Sequence, residues 1–296
     1  MRIRSEVTSA KAHAQGVVAL ETTLISHGRG YPENLAIGRA LEQAVRSEGG
    51  VPATVGILSG EVVIGVEDPE LEHFARTPTI RKCTRRDVPI LLARKMDGAT
   101  TVCGTMLLAH QAGIRVFVTG GIGGVNRGHP FDVSADLQEL ARTPMVTVCS
   151  GCKALLDIEA TREMLETYGV PVIGFGTDEF PGFYSRESGL PVDVRLETAQ
   201  EVAEIAQERD RLGLTSALLV CVPVPEADAL PLAEVEQAVA EVVRRADAQG
   251  IRGRDVTPFL LKQLGELTAG RTGRALDALL LNNARVAARI ATALAR

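Results

Sequence analysis

Gly16–Glu21 reads GVVALE, four consecutive apolar residues between a glycine and a carboxylate. A strand with one wet face alternates apolar and polar side chains. A short run that is apolar at every position belongs instead to a strand covered on both faces, the pattern of parallel sheets in α/β proteins. Glu21 then stands at the carboxyl end of that strand, where open α/β sheets meet their ligands.

The flanking sequence continues the alternation. From Glu33 to Glu48, Leu35, Ile37, Leu41, Ala44 and Val45 fall on one helical face, and Gly49-Gly50 ends the helix. Val51–Leu58 and Glu61–Val66, joined by Ser59-Gly60, read as a hairpin. Helices are expected over Asp87–Lys95, Thr101–Ala112, Lys153–Tyr168 and Thr198–Leu212, and strands over Arg115–Thr119, Val146–Cys149, Val170–Phe175 and Ser216–Val224. The last third is mostly helical, and Gly120-Gly121-Ile122-Gly123-Gly124 reads as a flexible loop at a strand's carboxyl end. This order predicts a three-layer α/β/α sandwich with a mixed, largely parallel central sheet, one domain over residues 1–296. Asp178–Pro191 is rich in Pro and Gly but holds Phe180, Phe183 and Tyr184, so it is expected to pack as a lid or subunit contact rather than to link domains.

With 296 residues, 45% of them hydrophobic, the chain can bury a large core. A net charge of -5 without a polybasic run argues against a nucleic-acid polymer or an anionic membrane as partner. No apolar stretch reaches the roughly 18 to 20 residues of a membrane span, and the N-terminus has no apolar core of a secretion signal. Five cysteines, an odd number without metal-type spacing, suit reduced thiols and a cytoplasmic protein.

Five lysines stand against 27 arginines, which makes Lys153 in CSGCKALLD (Cys149–Asp157) conspicuous. At the start of the expected helix, the macrodipole disfavours a cation by a few tenths to about 1 kcal/mol. Partial burial pushes the same way, and a neutral lysine amine is a nucleophile for carbonyl carbon through a Schiff base. The competing reading is an i,i+4 ion pair with Asp157. Cys149 and Cys152 form a CxxC, but the chain lacks a thioredoxin-like order of elements, so they are expected to be small buried residues.

In FDVSAD, Asp132, Ser134 and Asp136 alternate, which in an extended loop presents a set suited to a hard, hydrated cation. Helix capping by Ser134 or Asp136 competes with it. Arg81–Arg86, RKCTRR, is either a grip for a phosphate monoester or a solvated surface. The glycine loop fits neither GxGxxG nor GxxxxGK[ST].

VALETTLISHG (Val18–Gly28), GATTV (Gly98–Val102), FVTGGIGGV (Phe117–Val125), FDVSADLQELA (Phe131–Ala141), TPFLL (Thr257–Leu261) and NNA (Asn282–Ala284) together resemble the pseudouridine-5'-phosphate glycosidase family, from about Gly16 onward. The resemblance implies reversible cleavage of the C-glycosidic bond of pseudouridine 5'-phosphate to uracil and ribose 5-phosphate, in a homotrimer with Mn2+. It also implies Lys153 as the imine-forming nucleophile, Glu21 as proton donor, and Asp132 as the manganese ligand. Lys82, Val102, Ser134, Ala135, Asp136 and Asn283, or its neighbour Asn282, fall on substrate-contacting positions, with Lys82 the natural phosphate partner. Where the family has GGVHRG, this chain has Gly123-Gly124-Val125-Asn126-Arg127-Gly128, and Asn126 cannot shuttle protons as a histidine does. Two other classes share the residues: a phosphatase acting on a nucleotide-like pigment precursor, and a non-catalytic sugar-phosphate sensor.

Overall fold

Val18 and Leu20 pack into the core on one side of the central sheet and Val17 and Ala19 into the core on the other, in a computed structural model that describes residues 1–249 and 256–295. Each of the four is at most 8% exposed. Covering such a strand twice is worth about 1.5–3 kcal/mol for each fully buried Val or Leu, so helices are needed on both faces.

The main sheet has eleven strands. Along its path run β1 (Arg2–Ile3), β4 (Glu61–Ile64), β3 (Val51–Leu58), β2 (Val17–Glu21), β7 (Val116–Val118), β10 (Val146–Cys149), β14 (Leu218–Cys221), β12 (Val172–Phe175) and β13 (Val194–Leu196). Off this path, β6 (Gly98–Thr100) pairs with both β3 and β5 (Arg81–Cys83). Pairing is antiparallel between β3 and β4 and between β3 and β6, and parallel elsewhere. The sheet is therefore mixed and largely parallel, as expected. The hairpin closes with Leu58 opposite Glu61, and Ser59 and Gly60 both take positive φ, 49° and 78°, as a two-residue turn matched to sheet twist requires.

Helices Glu33–Ser47, Ala199–Arg211, Leu232–Ala248 and Arg271–Leu294 cover one face. Ser5–Ala12, Val102–Gln111, Ala135–Leu140 and Ile158–Thr167 cover the other. The long C-terminal helix lies so close to the start of β2 that a Cβ on Gly16 would come 2.5 Å from the Thr292 backbone nitrogen. A second, three-stranded sheet joins β11 (Leu156–Asp157), β8 (Val125–Asn126) and β9 (His129–Val133).

Two expectations are corrected. The helix expected from Lys153 starts at Ile158, because Leu156-Asp157 pairs with β8 and Asp157 caps the helix by accepting the Ala160 N–H at 3.0 Å. Lys153 thus stands in a turn ahead of the helix, outside the reach of its dipole, and Asp157 is not its ion-pair partner. The glycine loop is not flexible: residues 120 to 124 are all buried and none of its glycines has positive φ. Glycine is required there by space, since a Cβ on Gly121 would meet the Phe183 ring at 2.6 Å and one on Gly124 the Thr161 hydroxyl at 2.2 Å. The five cysteines are free and buried. Among the described residues no helix is long and apolar enough to cross a membrane.

Candidate active site

The parallel strands β2, β7 and β10 end side by side, and the loops that leave β7 and β10 are laced to each other. Ser150 donates its N–H to Gly120 O at 2.8 Å, Ile122 to Gly151 O at 3.0 Å, and Lys153 to Ile122 O at 3.1 Å. Gly151 has φ of 83° and its Cα faces Pro181, whose carbonyl would lie 2.4 Å from an added Cβ. The backbone under Lys153 is therefore fixed although its side chain is exposed, which corrects the expectation of partial burial.

These loops form a cleft of about 730 Å3, part of it open to solvent, in which Glu21, Lys82 and Lys153 converge with His27, Thr119, Phe183 and Tyr184. Phe183 and Tyr184, edge to face with centroids 4.7 Å apart, are almost wholly buried. The aromatic loop does pack over something, namely this cleft. Burial raises the Glu21 carboxyl above its ordinary pKa, against the opposing pull of the Lys153 charge and of the Thr119 hydroxyl, which donates to Glu21 Oε1 at 2.6 Å. That bond leaves Oε2 as the oxygen on which a proton can reside. The surrounding protein lowers the pKa of Lys82, and the neighbouring Lys153 charge adds to this while Glu21 and Asp136 oppose it.

Two of the three arginines of the 81 to 86 patch are spent elsewhere: Arg81 pairs with Asp87 at 2.6 Å and Arg85 with the buried Glu139. Lys82 is the member of that patch that lines the cleft.

Asp136 sits behind the site, 6% exposed, accepting the N–H of Cys103 at 3.0 Å and of Gly123 at 2.8 Å. Ser134 caps the helix Ala135–Leu140 by accepting the Asp136 N–H, so the capping reading holds. Asp132, Ser134 and Asp136 do not share one extended face, because β9 ends at Val133 and Asp136 is already helical. Asp132 and Ala135 are exposed. Among the described residues no group of three or more His, Cys, Asp or Glu side chains is arranged to hold a metal ion. Val102 is 1% exposed and its side chain belongs to the core, so only its backbone at the first turn of Val102–Gln111 can meet a ligand. Asn283 is fully buried and donates to Thr119 O at 3.0 Å and to the Ser150 hydroxyl at 3.1 Å, tying together the loops after β7 and β10. Asn126 donates to Asp132 O at 3.2 Å across the small sheet.

Sequence reasoning missed Thr119 and His27. Thr119 carries the signal that singled out Glu21, a polar residue just past a strand's carboxyl end, whereas His27 follows the short helix Thr23–Ser26 and is marked only by its place inside VALETTLISHG.

Gly123→Ala is expected to lower stability by about 1–3 kcal/mol through overpacking, because its Cβ would lie 2.2 Å from Ser134 Oγ and 2.8 Å from Asp136 Oδ2. Gly30→Ala, with nothing within 4 Å, is the control. Calorimetry that finds equal melting temperatures for the two variants would contradict the close packing of this loop.

Residues 6–293 match the family described as indigoidine synthase A like protein. The pseudouridine-5'-phosphate glycosidase of Caldanaerobacter subterraneus subsp. tengcongensis is 51% identical, over 99% of this chain and 96% of that protein. The enzyme of the same name from Solibacter usitatus is 48% identical, over 99% and 98%. The chain belongs to the indigoidine synthase A-like family that includes these glycosidases. Among solved structures of the family's fold, the prealnumycin C-glycosynthase AlnA in complex with ribulose 5-phosphate superposes with a TM-score of 0.92 at 40% identity, covering 99% of this chain and 96% of that one. An indigoidine synthase A-like protein from Thermotoga maritima gives 0.90 at 40% identity, covering 100% and 96%.

Proposed function

We propose that this chain cleaves, reversibly, the C-glycosidic bond of pseudouridine 5'-phosphate to uracil and ribose 5-phosphate. The observation that carries this reading is the convergence of Glu21, Lys82 and Lys153 in one cleft at the carboxyl edge of a parallel sheet. The names of its relatives support the same reading. The leaving atom is carbon, so protonating a departing glycosidic oxygen, the usual work of paired carboxylates, does not suffice.

Glu21 delivers a proton from Oε2 to the ribose ring oxygen as the bond from that oxygen to C1' breaks. Lys153 Nζ, in its uncharged form, forms a bond to C1'. The ammonium so formed gives a proton to the Glu21 carboxylate, which restores the nitrogen lone pair. The bond from C1' to C5 of uracil then breaks as that lone pair closes the iminium, and the electron pair left on C5 takes the proton from Glu21, which frees uracil. Water hydrolyses the iminium to the aldehyde of ribose 5-phosphate and restores the lysine. Lys82 meets the phosphate, with the first-turn backbone at Val102. Ser134, Ala135 and Asp136 hold the stretch beside the substrate, and Asn283 positions the loop that carries Thr119 against Glu21.

Manganese belongs to this reading through Asp132. One exposed carboxylate that belongs to no group of three potential ligands among the described residues suits an ion that keeps most of its water, and such an ion would supply electrostatic support to substrate groups near it. The homotrimer belongs to it too: Phe131, 99% exposed beside Asp132, is an apolar anchor for a second copy, and light scattering reads the mass directly. Five free, buried thiols support a cytoplasmic site of action.

Incubation with pseudouridine 5'-phosphate is expected to release uracil, followed by its ultraviolet absorbance, more strongly with Mn2+ than without. Release of inorganic phosphate with the glycosidic bond intact would instead make the chain a phosphatase.

A further inference from the structure

Three buried side-chain nitrogen or oxygen atoms lack a hydrogen-bond partner among the described residues, and Nε2 of His27 is the one on a residue lining the cleft. A buried polar atom without a partner costs about 1–3 kcal/mol, so its persistence points to a partner that arrives with the ligand. The ring is well anchored. His27 donates its backbone N–H to Thr23 O at 2.9 Å, and Gly28 follows so tightly that an added Cβ would lie 2.2 Å from Leu24 O. The Ile80 backbone lies near enough to the ring to favour its protonated form.

A neutral imidazole has one N–H and one lone pair. In the tautomer with its N–H on Nδ1, Nε2 presents a bare lone pair. Burial, and then the Lys82 ammonium, hold the ring below its ordinary pKa, while the Ile80 carbonyl opposes them. The other charged groups at the cleft are Glu21 and Lys153. Arg29, two residues on, is paired with Asp277 at 2.9 Å. Beside that ammonium the empty site favours the neutral ring over the imidazolium. A dianion beside Lys82 reverses the balance, because its charge outweighs that of the ammonium.

We propose that Nε2 of His27 is a ligand to the substrate's phosphate, and that it takes up a proton from solvent as the dianion settles beside Lys82. This rests on the reading of Lys82 as the phosphate partner. It gives the cleft a second, ligand-induced cation that discriminates phosphorylated from unphosphorylated pentoses.

Calorimetric titration of ribose 5-phosphate and of ribose, at slightly alkaline pH in two buffers of different ionisation enthalpy, tests it. The wild-type chain is expected to take up a proton with ribose 5-phosphate and none with ribose. His27→Gln, which keeps a donor near the position of Nε2, should bind ribose 5-phosphate without proton uptake. His27→Leu should bind it roughly tenfold to a hundredfold more weakly with ribose affinity unchanged. Proton uptake that persists in His27→Gln, or full affinity in His27→Leu, overturns the inference. Lys82→Gln separates the two layers: unchanged affinity there removes the phosphate reading of Lys82 itself, whereas a loss in Lys82→Gln with none in His27→Leu removes His27 alone. Nitrogen-15 histidine spectra of the wild-type chain give a check free of folding effects, with the His27 signal expected to move to the imidazolium form on adding ribose 5-phosphate; an unmoved signal contradicts the proposal.

Discussion

Lys153→Ala abolishes uracil release, by on the order of 10^4- to 10^6-fold, as expected for loss of a covalent nucleophile, while the chain stays folded. The two halves of this result have separate causes. The side chain is exposed in the cleft and makes no hydrogen bond or ion pair among the described residues, so its removal costs little stability. The backbone position is held by Ile122 O and does not depend on the side chain. Lys153→Arg is expected to be as inactive as the alanine variant, because a guanidinium keeps its proton and offers no lone pair to C1'. An arginine variant of near-normal rate, measured by uracil absorbance, would rule out the imine.

Glu21→Gln is expected to slow turnover by about 10^2- to 10^4-fold, the usual worth of a positioned general acid, without loss of stability. Burial raises the Glu21 pKa in the folded chain above its unfolded value. Folding therefore favours the protonated carboxyl: the linked stability is fully present below the unfolded pKa and is lost as pH rises through the folded one. Near neutral pH an amide that never ionises escapes that loss, so the glutamine variant should melt at the same temperature as wild type or higher. The wild-type rate should fall as pH rises through the folded pKa of Glu21, and this alkaline limb should be missing from the residual activity of the variant. A glutamine variant with full activity, or one that keeps the limb, would remove Glu21 from the proton-donor role.

The parallel sheet was legible in GVVALE because burial on both faces leaves a composition that no surface strand can carry. The same strand-end logic placed Glu21 and Lys153, and the rarity of lysine marked the second. What local sequence could not convey were contacts between segments far apart in the chain. The pairing of Leu156-Asp157 with Val125-Asn126 pushes the helix start from Lys153 to Ile158, so the dipole reasoning failed although the residue it favoured lies in the cleft. The run of glycines read as flexible because glycine permits unusual backbone angles, yet here it serves close approach to Phe183, Ser134 and Thr161. Asn283 reaches Thr119 and Ser150 from a helix more than a hundred residues away. The cationic patch loses Arg81 to Asp87 and Arg85 to Glu139, and Lys82 is its member that lines the cleft.

Reduction with borohydride during incubation with ribose 5-phosphate tests the central chemistry most directly. The account predicts a covalent mass gain of one reduced pentose phosphate per chain, located on the peptide that carries Lys153 and absent from Lys153→Ala. An unmodified Lys153 peptide in a chain that still releases uracil would contradict it.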